Sequence, residues 1–167
     1  MEIAISIGSN LGDRLANFRA ARQALAAMTD IRIVAVSAVY ETEPVDVSPP
    51  FEEETFLNAA LVIETKLAPM VVSDELHALE TALGRVRQAD KNAPRTLDLD
   101  ILYAGDIVMN TPQLALPHPR WNERRFVVEP LADIRPDRVL PGESRTVREI
   151  LATLPDEPRV RRLTSDW

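Results

Sequence analysis

Cysteine is absent from the 167 residues, which rules out both a disulfide framework and a thiolate metal site. Met1 to Ser6 carries no basic segment followed by a long apolar one, and no later apolar run reaches membrane-spanning length. The expectation is therefore a cytoplasmic protein with no membrane partner. Positive charge is also in deficit: 19 Lys and Arg stand against 26 Asp and Glu, a net charge of −7. A domain that grips nucleic acid through its phosphates needs the opposite balance, so nucleic acid is not an expected partner. Lysine itself is nearly missing, with Lys66 and Lys91 the two examples and arginine making up the rest. Arginine forks suit phosphate, although genome composition accounts for such a skew equally well. There is no internal repeat and no low-complexity tail. The glycine turn Gly8-Ser9-Asn10-Leu11-Gly12 lacks the Gly-Lys-Ser/Thr ending of a P-loop, so it reads as a strand-to-helix connection with backbone amides available to a ligand.

What is present fits one domain spanning residues 1–167, long enough to bury a core without staples. Ile3, Ile5 and Ile7 alternate as a first strand, and Asp13 can cap a helix with Leu15, Phe18, Leu25 and Met28 near one face. A second strand is expected from about Ile31 to Thr42 and a third from Phe56 to Thr65, separated by a proline-rich acidic loop, Glu43 to Thr55. Pro69 opens a helix striped by Val72, Leu76, Leu79 and Leu83 and closed by Gly84. A polar loop, Gln88 to Ala93, leads to the next strand, which is expected to turn at Ala104-Gly105-Asp106 and return through Met109 as a hairpin. Short helical pieces follow around Arg120 to Arg124 and Val127 to Ala132, and Thr146 caps another through Leu154. Residues 134–167, with the basic stretch Arg159 to Arg162 and Trp167, read as a packing tail with a solvated charged face. Strand-helix-strand twice over predicts an α+β, ferredoxin-like layout, a mainly antiparallel sheet with helices packed on it.

The segment Pro94-Arg95-Thr96-Leu97-Asp98-Leu99-Asp100-Ile101 carries the most chemistry. In a strand Asp98 and Asp100 share one side while Leu97, Leu99 and Ile101 fill the other. Two like charges a few ångströms apart repel, and a divalent cation would neutralise them; magnesium in particular takes one or two carboxylates and completes its shell with water and phosphate oxygens. A half-exposed strand with its acids simply solvated is the competing reading. Arg85 and Arg87 upstream, Arg95 beside the pair, and His118, Arg120, Arg124 and Arg125 downstream favour phosphoryl chemistry, which needs positioning and charge neutralisation more than covalent work.

Five segments in register carry a resemblance: Ile7-Gly8-Ser9-Asn10, Phe56-Leu57-Asn58-Ala59-Ala60, Gly84-Arg85-Val86-Arg87, Pro94 to Ile101, and Pro117-His118-Pro119-Arg120. Over residues 1–133 the chain resembles the 6-hydroxymethyl-7,8-dihydropterin pyrophosphokinases of folate biosynthesis. The resemblance implies a magnesium-dependent transfer of pyrophosphate from ATP to the hydroxymethyl group of a reduced pterin, releasing AMP. It implies two magnesium ions on Asp98 and Asp100, with Arg85 and Arg95 as catalytic charge-neutralising groups and the hydroxyl proton passing to Asp98 or to solvent. The reduced pterin is expected among Thr42, Pro44, Val45, Phe56, Asn58 and Phe126, and ATP among His77, Glu80, Arg87, Ile101, His118 and Arg124. An aromatic pair and an amide suit a flat heterocycle with a donor-acceptor edge. His77 and Glu80, i and i+3 on the helix, also fit a surface pair, and Arg120 and Arg125 fit solvated charges.

Two positions depart from the family pattern. His77 stands where many relatives carry glutamine, and Asn92 where several carry a tryptophan that covers the pterin. Two other function classes stay open on residues alone: another magnesium-dependent phosphotransferase with a different heterocyclic acceptor, and a nucleotide-binding domain without chemistry. The oligomeric state is not fixed by the sequence, and a monomer is the simplest expectation.

Overall fold

The computed structural model describes residues 1–43, 55–85 and 95–167. β1 (Glu2–Ser9) leads into α1 (Arg14–Ala27), whose N-cap Asp13 accepts the Ala16 N–H at 3.0 Å and so satisfies one of the helix's free donors. β2 (Ile31–Val36), β3 (Val39–Thr42) and β4 (Phe56–Thr65) follow, then α2 (Pro69–Ala82) and β5 (Asp98–Ala104). The six-stranded sheet runs β5-β1-β4-β3-β8, with β2 also on β4 and β8 spanning Val160–Thr164. Every pairing in it is antiparallel. Its first five strands and two helices make the ferredoxin-like α+β arrangement expected from the order of elements.

Alternation along β1 and β4 gives the sheet two working faces. Ile3, Ile5, Ile7, Leu57, Leu61 and Ile63 point toward α1 and α2 and join Phe18, Leu25, Val72 and Leu76 in the main core. Ala4 and Val62 point the other way, into a smaller core with α3 (Arg125–Ile134), α4 (Val147–Thr153) and a 3-10 turn at Trp121–Glu123. A bulge in β5 serves this second face. Ile5 faces Ile101 but Ala4 faces Tyr103, so Leu102 is an extra residue, and Leu102 and Tyr103 both enter the smaller core. Asp98 and Asp100, before the bulge, lie on the same face of the sheet beyond the region where that core packs.

Two expectations are corrected. The single strand from Ile31 to Thr42 is two strands, because buried Ser37 breaks the ladder: its Oγ accepts the Ala60 N–H at 2.8 Å and donates to the Ala38 carbonyl at 2.6 Å. The Ala38 N–H, freed from the ladder, donates to Asp133 of α3 at 3.0 Å. The hairpin after Ala104 does not form. Gly105, at φ 53°, donates its N–H to the Glu2 carbonyl, and β6 (Met109–Asn110) pairs instead with β7 (Ala115–Leu116) as a separate two-stranded sheet. The tail packs as expected, with Trp167 in the main core at 5% exposure, and it adds a strand that the sequence reading did not give, β8 on β3. Its charged character is as expected: Arg161 is 70% exposed and pairs with Glu41 at 2.7 Å. The capping box at Thr146 and Glu149 that starts α4 matches the sequence reading.

Trp167 packs its ring 5.3 Å from that of Phe18 and donates Nε1–H to the Ser37 carbonyl at 2.8 Å, in contact with the helix and with the β2–β3 break together. Trp167→Ala should lower the free energy of urea-induced unfolding by about 3 kcal/mol, the scale of a large aromatic removed from a core. A loss below about 1 kcal/mol would show that the strap contributes little.

Candidate active site

The end of the second sheet face that no described element covers holds the candidate site, and β-register decides what meets there. One row of cross-strand neighbours reads Tyr40, Asn58, Gly8, Asp98 across β3, β4, β1 and β5. Thr42 and Phe56 pair in the next row outward, and Ser6 pairs with both Ala60 and Asp100 in the row inward. Asn58 is 5% exposed, and its Nδ2 donates to the Thr42 Oγ1 at 2.9 Å. That answers how an asparagine is accommodated inside an apolar strand: a diagonal neighbour on β3 supplies the acceptor.

Asp98 is held by two guanidinium groups. Arg85 Nη1 donates to one carboxylate oxygen at 2.5 Å and Arg95 Nη1 to the other at 2.8 Å. The neighbouring elements set both arginines. At the end of α2, Gly84 adopts φ 89°, a conformation that favours glycine, and the Arg85 N–H then donates to the Glu80 carbonyl at 3.0 Å. Arg85 thereby points back toward β5, where it also pairs with the Glu80 carboxylate. Glu80, 1% exposed, accepts the Leu99 N–H at 2.7 Å through the same Oε1. It braces α2 to β5, so the surface pairing considered for His77 and Glu80 does not apply. Arg95 is fixed through its backbone: its N–H donates to Asn10 Oδ1 at 2.8 Å, and its carbonyl accepts the Asn10 N–H at 3.2 Å. Asn17 of α1 donates to the Thr96 and Leu11 carbonyls, tying the two segments together.

The electrostatics follow from this crowding. Burial raises the Glu80 carboxyl above its ordinary range despite its donors. Burial would lower Arg85, yet the charges of Asp98 and Glu80 outweigh it and raise the guanidinium further. Asp100 is open to water along one side but sits in a concave wall of protein; removal from bulk water, then the charge of Asp98, pushes its carboxyl up. Among the described residues it accepts no hydrogen bond. Two carboxylates on one face form a donor set that fits a magnesium ion whose remaining positions come from phosphate and water. Among the described residues no group of three or more His, Cys, Asp or Glu gathers as a protein-only metal cage.

Beside Asp100 opens a cleft of about 250 Å³ between α2, β5 and the β6–β7 hairpin. The ATP candidates His77, Ile101 and His118 line it together, with Ser73, Leu76 and the run Thr111 to Ala115, which the sequence did not single out. Nothing in the sequence of that run signals a site. His118 donates its N–H to the Leu102 carbonyl at 2.8 Å and accepts the Arg120 N–H on Nδ1 at 3.1 Å, which leaves Nε2 to carry the proton of the neutral ring. Burial lowers its pKa, against the opposing pull of Asp100. Arg124, lowered first by burial and then by Arg120, lies 5.8 Å above the Phe126 ring. Arg125 is not a solvated charge, because it binds Glu129 at 2.9 Å and the Leu154 carbonyl at 3.1 Å. Pro44, Val45, Arg87 and Asn92 lie outside the described residues.

A ferredoxin-like sheet with an acidic pair, converging arginines and an adjoining cleft has the parts that an enzyme acting on phosphate needs. Comparison with known proteins narrows it. Residues 4–136 match the family described as 7,8-dihydro-6-hydroxymethylpterin-pyrophosphokinase (HPPK). A 2-amino-4-hydroxy-6-hydroxymethyldihydropteridine pyrophosphokinase of Pseudomonas aeruginosa is 39% identical over 93% of this chain and 93% of its own length. The protein of that name from Methylorubrum extorquens is 43% identical over 90% of this chain and 91% of its own length. Among solved structures, a Plasmodium falciparum HPPK-DHPS chain superposes with a TM-score of 0.71 at 14% identity. It covers 90% of this chain, which spans 45% of that longer one, and supports the fold alone. The chain belongs to the HPPK family, the pyrophosphokinases of folate biosynthesis.

Because its folded pKa lies below the ordinary value near 6.5, His118 binds fewer protons than in the unfolded chain in the window just below that value. Its contribution to stability is full above pH 6.5 and lost as pH falls through the folded pKa. Proton-resonance titration of the ligand-free protein should place His118 below 6.5, and His118→Gln should flatten the stability loss in that window. A midpoint at or above 6.5 would contradict the burial argument.

Proposed function

We propose that residues 1–167 work as one cytoplasmic, monomeric pyrophosphokinase domain that transfers pyrophosphate from ATP to the hydroxymethyl group of 6-hydroxymethyl-7,8-dihydropterin, releasing AMP. The observation that carries this reading is the shared register of Asn58 and Asp98, which puts an amide suited to a pterin edge and an acid suited to a cation on one open face. Two magnesium ions on Asp98 and Asp100 would supply charge neutralisation along the triphosphate. The hydroxymethyl oxygen attacks the β-phosphorus, the bond to the α-phosphate bridging oxygen breaks, and AMP leaves with that oxygen. The hydroxyl proton goes to solvent.

The chain's own part is to hold and to align. Arg85 and Arg95 bring two permanent charges to where negative charge grows on the transferred group, and Glu80 and Asn10 keep them there. Asn58 and Thr42 take the polar edge of the pterin, with Phe56 and Phe126 as candidate stacking partners and Pro44 and Val45 completing the set. The cleft of about 250 Å³ lies at the low end for a whole ligand, which suits the nucleoside end of ATP among His77, Ile101 and His118. Arg124 would then face the phosphates, and Glu80 reaches the nucleotide through Arg85; Arg87, outside the described residues, stays a candidate for ATP on the resemblance alone.

Incubation with ATP, magnesium and the hydroxymethyl-dihydropterin should yield AMP; production of ADP, or of neither nucleotide, would sink the proposal. Asp100→Asn should reduce AMP formation on the order of 10³-fold with an unchanged melting temperature, since that carboxylate supports no hydrogen bond among the described residues. Asp98→Ala should lose activity and some stability together, because it strips a partner from Arg85 and Arg95, which are only 18% and 24% exposed.

A further inference from the structure

The chain has five glycines, and four of them, Gly12, Gly84, Gly105 and Gly142, adopt positive φ and so are explained by their backbone. Gly8 is the exception. It sits inside β1 in ordinary extended conformation, where glycine is a weaker choice than alanine. Packing does not demand it either. A methyl built at Gly8 would stand 3.5 Å from Asn58 Oδ1, 3.9 Å from Asp98 Cβ and 3.9 Å from the Leu57 carbonyl oxygen, all ordinary contact distances. The protein has room for a side chain there and does not use it.

The register shows what the space adjoins. Gly8 is the direct cross-strand partner of Asn58 on one side and of Asp98 on the other. With neighbouring strands about 4.8 Å apart, those two residues stand roughly 10 Å apart along a strip with no side chain in its middle. Gly8 is half-buried, so the strip is open to the site. We propose that Gly8 is a positioning and specificity-determining residue: it leaves bare the floor on which the acceptor's hydroxymethyl group meets the phosphate chain. This rests on the reading of Asn58 as the pterin side and Asp98 as the phosphate side. A methyl on that floor occupies the path between acceptor oxygen and phosphorus, and displacement of about an ångström from in-line geometry is enough to cost two orders of magnitude in rate.

Gly8→Ala tests it. The variant should fold with a melting temperature at or above that of the wild type and should bind a non-hydrolysable ATP analogue within twofold. It should also bind 7,8-dihydropterin without a 6-substituent within twofold, while turnover of the hydroxymethyl substrate falls at least tenfold. Turnover within tenfold of wild type overturns the proposal. So does a parallel loss of affinity for the unsubstituted pterin, which would mean a merely structural role, and so does a variant that unfolds, because room for a methyl is part of the argument. Asp100→Asn, run alongside, separates the two levels. If Asp100→Asn is inactive and Gly8→Ala turns over normally, only the role of Gly8 fails; if Asp100→Asn keeps full activity, the reading of the site fails with it.

Discussion

Two guanidinium groups converge on the Asp98 carboxylate, and the surrounding structure is arranged so that they must. Isolated, either ion pair would be worth little at a surface, and half-buried it would cost desolvation. Here each arginine is fixed before it reaches the acid. Gly84 turns Arg85 off the end of α2 and Glu80 receives it from behind, while Asn10 and Asn17 lock the backbone from which Arg95 departs. Three segments distant in sequence, the turn after β1, the end of α2 and the approach to β5, therefore meet at one carboxylate. Such preorganisation is what charge-stabilising catalysis requires, because little reorganisation remains to be done when phosphate arrives.

Glu80 illustrates how a residue can matter to a ligand without facing it. Its carboxylate is buried, raised in pKa, and bound to a backbone amide of β5 as well as to Arg85. The ferredoxin-like layout makes this possible, since α2 lies over the face of the sheet opposite the two acids and its C-terminal end comes level with the start of β5. Helix and strand share one buried acid, and the arginine that crosses to the open face is carried by it.

Much of this was legible in the sequence where one physical rule acted alone. Alternation placed Asp98 and Asp100 opposite Leu97, Leu99 and Ile101, and the apolar run from Phe56 to Thr65 matched β4 in full. The Asp13 cap, the Pro69 start and the glycine at Gly84 marked helix ends by local chemistry. What escaped were features decided by partners far along the chain. Ser37 reads as one more strand residue until Ala60 and Asp133 divide its hydrogen bonds, and Val160 to Thr164 reads as a charged tail until β3 offers an edge. The lining from Thr111 to Ala115 has no pattern of its own and becomes part of a cleft only because β7 lies against β5. Asn58 is legible as a polar group that needs a partner, but the partner itself, Thr42, is a matter of register.

The extra residue in β5 has a consequence for how the protein can change. Up to Ile101 the strand answers to the ligand side of the sheet, and from Leu102 onward the same face answers to α3 and α4. Because the bulge lies between the two stretches, mutation can remodel the packing around Tyr103 and Trp121 without altering the spacing of the acids, and the acids can be tuned without loosening that packing. A lineage could thus adjust its heat tolerance and its turnover along separate routes, although both are written into seven consecutive residues.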